Sequence, residues 1–249
     1  MVDPMNQTTT HLTELRAKLH ALATPAKAKT SAWFFKTGPG QYAEGDQFLG
    51  ITVPEVRQIA RAYKEVPQED ILILLRSPLH EERLLALFLL IQRFKASDPG
   101  MQQVIYHEYL KHTAHVNNWD LVDTSAAQIV GTYLSTQSPK DIQKTLTNLA
   151  SSGLLWERRI AMVATFHWIK EGEAAYALQV AELLLPDRHD LIQKAVGWML
   201  REVGKKCSEQ TLRTFLDQHL PNMGRTTLRY AIERFPEPLR QTYLKHTKR

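Results

Sequence analysis

Residues 68–96 read QEDILILLRSPLHEERLLALFLLIQRFKA, and this stretch decides the fold. Leucine and isoleucine recur at helical spacing on both sides of Ser77-Pro78. Proline lacks an N–H and pushes the residue before it out of the helical region. One helix therefore ends near Arg76 and a second begins after Pro78. The second run, HEERLLALFLLIQRFKA, is too long for a strand and has no strict alternation. Two antiparallel helices joined by a short break are the expected unit.

The same grammar extends outward in both directions. Upstream lie LTELRAKLHALA and, after Pro54, EVRQIARAYKEV. Downstream, QQVIYHEYLKHTAHV, WDLVDTSAAQIVGTYL, SPKDIQKTLTNLA, LLWERRIAMVATFHWIK and EAAYALQVAELLL follow one another. DLIQKAVGWMLREVGKK, SEQTLRTFLDQHL, NMGRTTLRYAIERF and EPLRQTYLKHT complete the series. The breaks are short and use Ser-Pro, Asn-Asn, Ser-Ser-Gly, Pro-Asp or Pro-Asn. From Gln68 the helices fall into pairs of roughly 35 to 45 residues, the period of HEAT-type arrays in which stacked pairs bury a continuous core. The expected fold is all-α, a HEAT-like (ARM-type) repeat solenoid of antiparallel helix pairs. Residues 1–10 are expected to be a flexible lead and residues 11–249 a single helical repeat domain.

Composition limits the function classes. No run approaches the roughly 18 uncharged apolar residues of a membrane helix, and the start, MVDPMNQTTT, lacks the apolar core of a secretory signal. Cys207 is the only cysteine, so no internal disulfide can form, and a cytoplasmic location is expected. From Arg188 to Arg249 there are 13 Lys/Arg against 6 Asp/Glu, while the rest of the chain carries 18 against 20. A basic C-terminal quarter is either a footprint for a polyanion or a solvated surface.

One segment departs from the helical pattern. KTGPGQYAEGDQFLGITVPE, Lys36 to Glu55, holds four glycines, two prolines and three acids. It is either a plain connector or one of the long loops that carry function.

Three clusters could carry chemistry. In Asn117-Asn118-Trp119-Asp120-Leu121-Val122-Asp123, an asparagine can cap the helix and Asp120 suits its positive first turn. Asp120 is therefore expected to cap rather than catalyse. Trp119 and Asp123, four apart, share one face. A capped helix with a packed Trp and a solvated Asp accounts for the same residues. In LWERRIA, Trp156 and Arg159 are three apart, with Arg158 one step round; a core Trp with two solvated arginines is the alternative. In IQKAVGWMLRE, Lys194, Trp198 and Arg201 fall at i, i+4 and i+7, a stripe with cations on both sides of an aromatic. Gly197 costs about 1 kcal/mol relative to Ala inside a helix and would let another group approach closely. His112 and His115 lie three apart without a third ligand nearby in sequence, so no metal is expected. There is no phosphate-cradling Gly-Lys-Ser/Thr motif.

WDLVD, LWERRIA and IQKAVGWMLRE, in that order on successive helix pairs, resemble the AlkD-like DNA alkylation repair family. EGDQFLGI followed by VPEVRQIA resembles its N-terminal portion, and the likeness spans about Trp33 to Tyr230. The resemblance implies a curved solenoid with double-stranded DNA on its concave face, acting as a monomer without a cofactor. It implies excision of positively charged alkylated purines such as 3-methyladenine and 7-methylguanine. Residue by residue, Trp119 and Trp198 match the two active-site tryptophans, Asp123 the catalytic acid and Arg159 the cleft arginine. Phe34 falls at or near a family tyrosine, a departure that removes a hydroxyl. Phe34, Arg158, Lys194 and Arg201 are the expected DNA contacts.

These residue types suit that chemistry. Losing a base gives the deoxyribose oxocarbenium character, which a fixed carboxylate stabilises. A base alkylated at N3 or N7 leaves as a neutral molecule, so one carboxylate suffices without a second acid or a metal. Two tryptophans can wall a cationic sugar with their π faces, and arginine can hold a phosphate by paired hydrogen bonds. Two other functions stay open: a non-catalytic binder of branched or distorted DNA, and a protein-interaction solenoid.

Overall fold

The computed structural model describes residues 4–246. Among them there is no strand, only a single parallel bridge between Gln47 and Leu79. The all-α expectation holds. The chain divides into two compact units, Met1–Ser125 and Ala126–Arg249. Of the expected lead, residues 1–3 lie outside the described residues, and helix α1 already begins at Pro4.

The first unit contains α1 (Pro4–Leu22), α2 (Pro25–Phe34), α3 (Val53–Ala62), α4 (Gln68–Leu75), α5 (His80–Ala96), α6 (Pro99–Lys111) and α7 (Trp119–Ala126). The break between α4 and α5 falls at Arg76–Leu79, where Ser77-Pro78 places it. Helix α5 is the unit's axis and packs on α1, α3, α4 and α6. It is buried almost all round, which is why its sequence shows leucine on every face rather than a stripe. Its first turn, His80-Glu81-Glu82-Arg83, is buried too. Arg16 of α1 meets Glu82 with two nitrogens, Nε and Nη2 both at 3.0 Å.

The glycine loop between α2 and α3 is folded against the start of α5. The Glu81 carboxylate accepts the backbone N–H groups of Leu49, Gly50 and Ile51 at 2.9, 2.8 and 3.2 Å. Those amides have no helix or sheet to satisfy them, so a buried carboxylate does so. Gly50 sits at φ +80°, and a Cβ there would lie 2.3 Å from the Thr24 carbonyl oxygen. Only glycine allows both the left-handed backbone and that approach to α2.

The second unit opens with a π-helical turn, Ala127–Gly131, then α8 (Thr132–Leu134), α9 (Pro139–Ala150), α10 (Leu155–Ala164) and α11 (Phe166–Lys170). It continues through α12 (Ala175–Leu184), α13 (Asp190–Lys206), α14 (Glu209–His219), α15 (Arg225–Ala231) and α16 (Glu237–His246). Helix α9 pairs with α10 and α12 with α13, and α13 also packs on α14 and α15. Two segments expected as single helices are interrupted. WDLVDTSAAQIVGTYL passes through the π turn, where Gly131 lets the backbone come so close to α10 that a Cβ would lie 2.4 Å from the Ala164 carbonyl oxygen. Thr132 Oγ1 donates to the Ala127 carbonyl five residues back at 3.2 Å. LLWERRIAMVATFHWIK breaks at Thr165, whose buried hydroxyl donates to the Met162 carbonyl at 2.6 Å.

Among the described residues no helix is long and apolar enough to cross a membrane.

Candidate functional site

Helix α7 carries the first candidate residues. Asn118 precedes it, fully buried, and its Oδ1 accepts the Trp119 N–H at 2.8 Å. The capping asparagine is thus Asn118. Leu121 and Val122 turn into the core. Trp119 and Asp123 lie one helical turn apart and are both half-buried, so neither is packed away. Behind them the Tyr109 hydroxyl meets Ser125 Oγ at 2.8 Å. Burial, with the nearby Asp123 charge adding to it, pushes the Tyr109 phenol well above its ordinary range. Tyr109 therefore stays a neutral phenol near Asp123.

Trp119 is the outer member of an aromatic stack. The Phe35 ring lies 5.4 Å from it at 27°, near parallel, and Phe34 meets it edge-on at 6.0 Å. Phe35 continues onto Phe48, at 5.1 Å and 13°, and onto His80, at 5.0 Å and 34°. Phe34 is 53% exposed and Trp33 73% exposed, with the Lys36 ammonium 5.0 Å from the Trp33 ring centre. No residue of α2 is buried. The expected DNA contact Phe34 is thus brought beside Trp119 at the open edge of the stack.

Beneath the stack lies a buried ionic cluster. His80 Nε2 is 2.8 Å from Asp120 Oδ2, and His80 Nδ1 is 3.3 Å from Asp46 Oδ2. Ionised carboxylates only accept, so both ring nitrogens must donate and the ring is an imidazolium. Burial opposes that charge, yet the hydrogen bonds that His80 donates to Asp120 and Asp46 outweigh it and raise His80 to about 9. Asp46 also accepts from Arg83 and, at 3.4 Å, from Asn118 Nδ2. Burial pushes the Asp46 carboxyl up, but His80 and Arg83 hold it below its ordinary value. Arg83 Nη1 donates to the Ser77 carbonyl at 2.8 Å. The expectation that Asp120 caps α7 is corrected here: Asn118 takes that place, and Asp120 is the partner of a buried histidine. Its other oxygen, Oδ1, is buried without a hydrogen bond.

The second unit holds the remaining candidates. Arg158 Nε donates to Asp187 at 2.8 Å and its Nη1 to the Ser152 carbonyl at 2.9 Å, joining the turns before α10 and α13. Arg159 is 5% exposed, and its Nη1 donates to the Leu191 carbonyl at 2.5 Å. Along α13, Lys194, Trp198 and Arg201 are half-buried while Ala195, Val196, Gly197, Met199 and Leu200 are buried, so the three form an outward stripe. Lys194 pairs with Asp190 at 2.6 Å, and Arg201 pairs with Glu233 and, at 3.6 Å, with Glu202. Trp198 lies 6.0 Å from Phe166 at a tilt of 41°. The group that approaches Gly197 is α15: a Cβ there would lie 2.5 Å from the Thr227 carbonyl oxygen. Among the described residues no three His, Cys, Asp or Glu side chains are placed to hold a metal ion.

Phe35, Phe48, His80, Arg83 and Asp46 were not singled out in the sequence. The signals were present: a Phe-Phe doublet at the end of α2, acids in a glycine loop, and four ionisable residues opening a leucine-rich helix. None of these says which partner each group meets.

A model of the family described as DNA alkylation repair enzyme matches residues 15–235. Among solved structures, a predicted DNA alkylation repair enzyme from Enterococcus faecalis superposes with a TM-score of 0.66 at 15% identity, covering 86% of this chain and 97% of that one. AlkD2 from Streptococcus mutans gives 0.56 at 15%, covering 92% and 99%. The protein smu.31 from Streptococcus mutans UA159 gives 0.51 at 18%, covering 79% and 93%. At these identities the structures speak for a common fold. No curated protein matches the chain.

Proposed function

The chain belongs to the DNA alkylation repair enzyme family, and from that premise we propose that it hydrolyses the N-glycosidic bond of positively charged alkylated purines, such as 3-methyladenine and 7-methylguanine, in duplex DNA. In this reading it works as a monomer in the cytoplasm. The observation that carries the proposal is the pairing on α7 of a half-buried Trp119 with a half-buried Asp123, one turn apart on the same face.

In the reaction the C1′–N bond breaks and its electron pair neutralises the cationic base, which leaves without needing a proton. Water then forms the new C1′–O bond and gives up a proton. Asp123 stabilises the sugar cation between these events and orients the water. A tryptophan face beside the sugar favours its positive charge. Trp198 and Arg159 of the second unit belong to the same proposal.

One observation favours a second reading, binding of distorted DNA without excision. Phe35 lies nearly parallel to the Trp119 indole, so one indole face is already covered. Release of free methylated base from randomly methylated DNA by the purified protein separates the two. Base release establishes the glycosylase; tight binding with no release leaves the second reading.

A further inference from the structure

The His80 cluster joins three separate segments under Trp119. Asp46 comes from the glycine loop, His80 and Arg83 from the first turn of α5, and Asp120 and Asn118 from the start of α7. His80 reaches Trp119 by two routes. Its Nε2 holds Asp120, the next residue in the chain, and its ring lies against Phe35, which stacks on the indole. Phe48 covers the same imidazole at 4.6 Å and 22°.

Building α5 on apolar residues would have filled this space at lower cost, because burying four charges requires desolvating all of them. With His80 protonated, the two cations His80 and Arg83 balance the two anions Asp46 and Asp120. We propose that the His80 imidazolium, clamped by Asp46 and Asp120, is a positioning residue that fixes the start of α7 and the pose of the Trp119 indole. This inference rests on α7 carrying the reactive face described above.

Loss of the His80 proton takes a donor from one of the two carboxylates and leaves the cluster with a net negative charge. Asp120, which already has one unpartnered oxygen, has no other hydrogen bond to hold it. The groups facing His80 are Asp46, Asp120 and Arg83, the last opposing its charge. His115, in the turn before α7, lies near Arg83; burial first, then His112 and Arg83, keep it below its ordinary value, so it stays neutral while His80 titrates.

The test follows His80 and Trp119 together in the full chain. Imidazole nitrogen shifts and the Trp119 indole N–H shift are recorded by NMR from neutral pH up to about 10, the span over which a raised histidine loses its proton. Both should move with one midpoint, near 9, and Asp120→Asn should lower that midpoint. Single-turnover excision should fall on the alkaline side with the same midpoint. His80→Gln should excise at least about tenfold more slowly at neutral pH, with DNA affinity unchanged, as expected for misplacement rather than lost binding; it should also lack the alkaline limb. A Trp119 resonance indifferent to His80 titration overturns the inference, as does a folded His80→Gln with the wild-type rate and pH profile. If His80→Gln does not fold, Asp120→Asn carries the same comparison. A wild type that excises nothing at any pH sinks the glycosylase proposal, while the joint titration still decides the positioning role.

Discussion

Gly197 on α13 faces the Thr227 carbonyl oxygen of α15 so closely that an added Cβ would lie 2.5 Å from it and equally near the Tyr230 Cβ. The glycine between Val196 and Trp198 is therefore a packing residue. Its gap is taken by the protein's own helix.

Gly197→Ala should destabilise the second unit. Alanine gains about 1 kcal/mol in helix propensity, but the new methyl meets backbone rather than a yielding side-chain end. Overpacking of this kind costs about 1–3 kcal/mol, so a small net loss is expected despite the better helix former. Urea unfolding should show a lowered midpoint; a raised midpoint would show that α15 moves aside freely.

Glu81→Ala should be far more costly than its position at the start of a helix implies. It leaves the amides of Leu49, Gly50 and Ile51 without their acceptor. With about 1–3 kcal/mol for each unsatisfied buried group and partial access of water, a loss of about 3 kcal/mol or more is expected. Thermal unfolding measures it, and hydrogen exchange at residues 49–51 should rise in the same variant.

These two cases mark what was legible in the sequence. The breaks at Ser77-Pro78 and the apolar spacing of 68–96 are local, and local signals placed α4 and α5. The face shared by Trp119 and Asp123 is likewise a property of helix periodicity. The partners of His80 are 34 and 40 residues away, and the partner of Glu82 is 66 residues away. No spacing rule encodes such pairings, so His80-Glu81-Glu82-Arg83 reads as a solvated first turn although it is buried. Arg201 shows the same limit: its cationic stripe was readable, its carboxylate partner Glu233 was not.

Stability should depend on pH through His80. Its folded-state value, about 9, lies above the ordinary histidine value of 6.5. The contribution is therefore fully present below about pH 6.5 and is lost as pH rises through 9. The difference corresponds to on the order of 3 kcal/mol. Asp46 acts oppositely: its carboxyl is held low, so its contribution is present above the ordinary carboxylate range and is lost toward acid. Unfolding free energies across this range should decline on the alkaline side for the wild type and not for His80→Gln. A wild-type curve flat through pH 9 would remove the buried imidazolium.

DNA affinity should fall steeply with salt, because phosphate contacts release counterions. Lys194→Ala should weaken binding to all sequences alike and reduce the salt slope by about 1. Arg201→Ala should have the smaller effect on the slope and the larger on stability, since its guanidinium is occupied by Glu233 and Glu202. Fluorescence anisotropy at several salt concentrations decides this; a slope unchanged in both variants would take α13 out of the DNA interface.

Asp123→Asn isolates the charge that the proposed chemistry needs. The amide keeps the size and most of the hydrogen bonding of the carboxylate, so fold and DNA affinity should stay near wild type. Excision should slow by roughly 100-fold or more, the scale seen when one preorganised electrostatic group is lost. The loss should be greater for 7-methylguanine than for 3-methyladenine, because the poorer leaving group needs more help. Asp120→Asn cannot serve as the control, since Asp120 holds His80 at 2.8 Å. Asp98 is the better choice: it caps α6, its Oδ1 accepting the Met101 N–H at 3.0 Å, and takes no part in the proposed chemistry. Asp98→Ala should cost about 0.5–2 kcal/mol of stability and leave the rate unchanged. Single-turnover excision with a melting curve and a binding isotherm for each variant makes the comparison. Wild-type excision by Asp123→Asn would move the catalytic assignment off this carboxylate. A matching loss in Asp98→Ala would trace the slow rate to stability rather than charge.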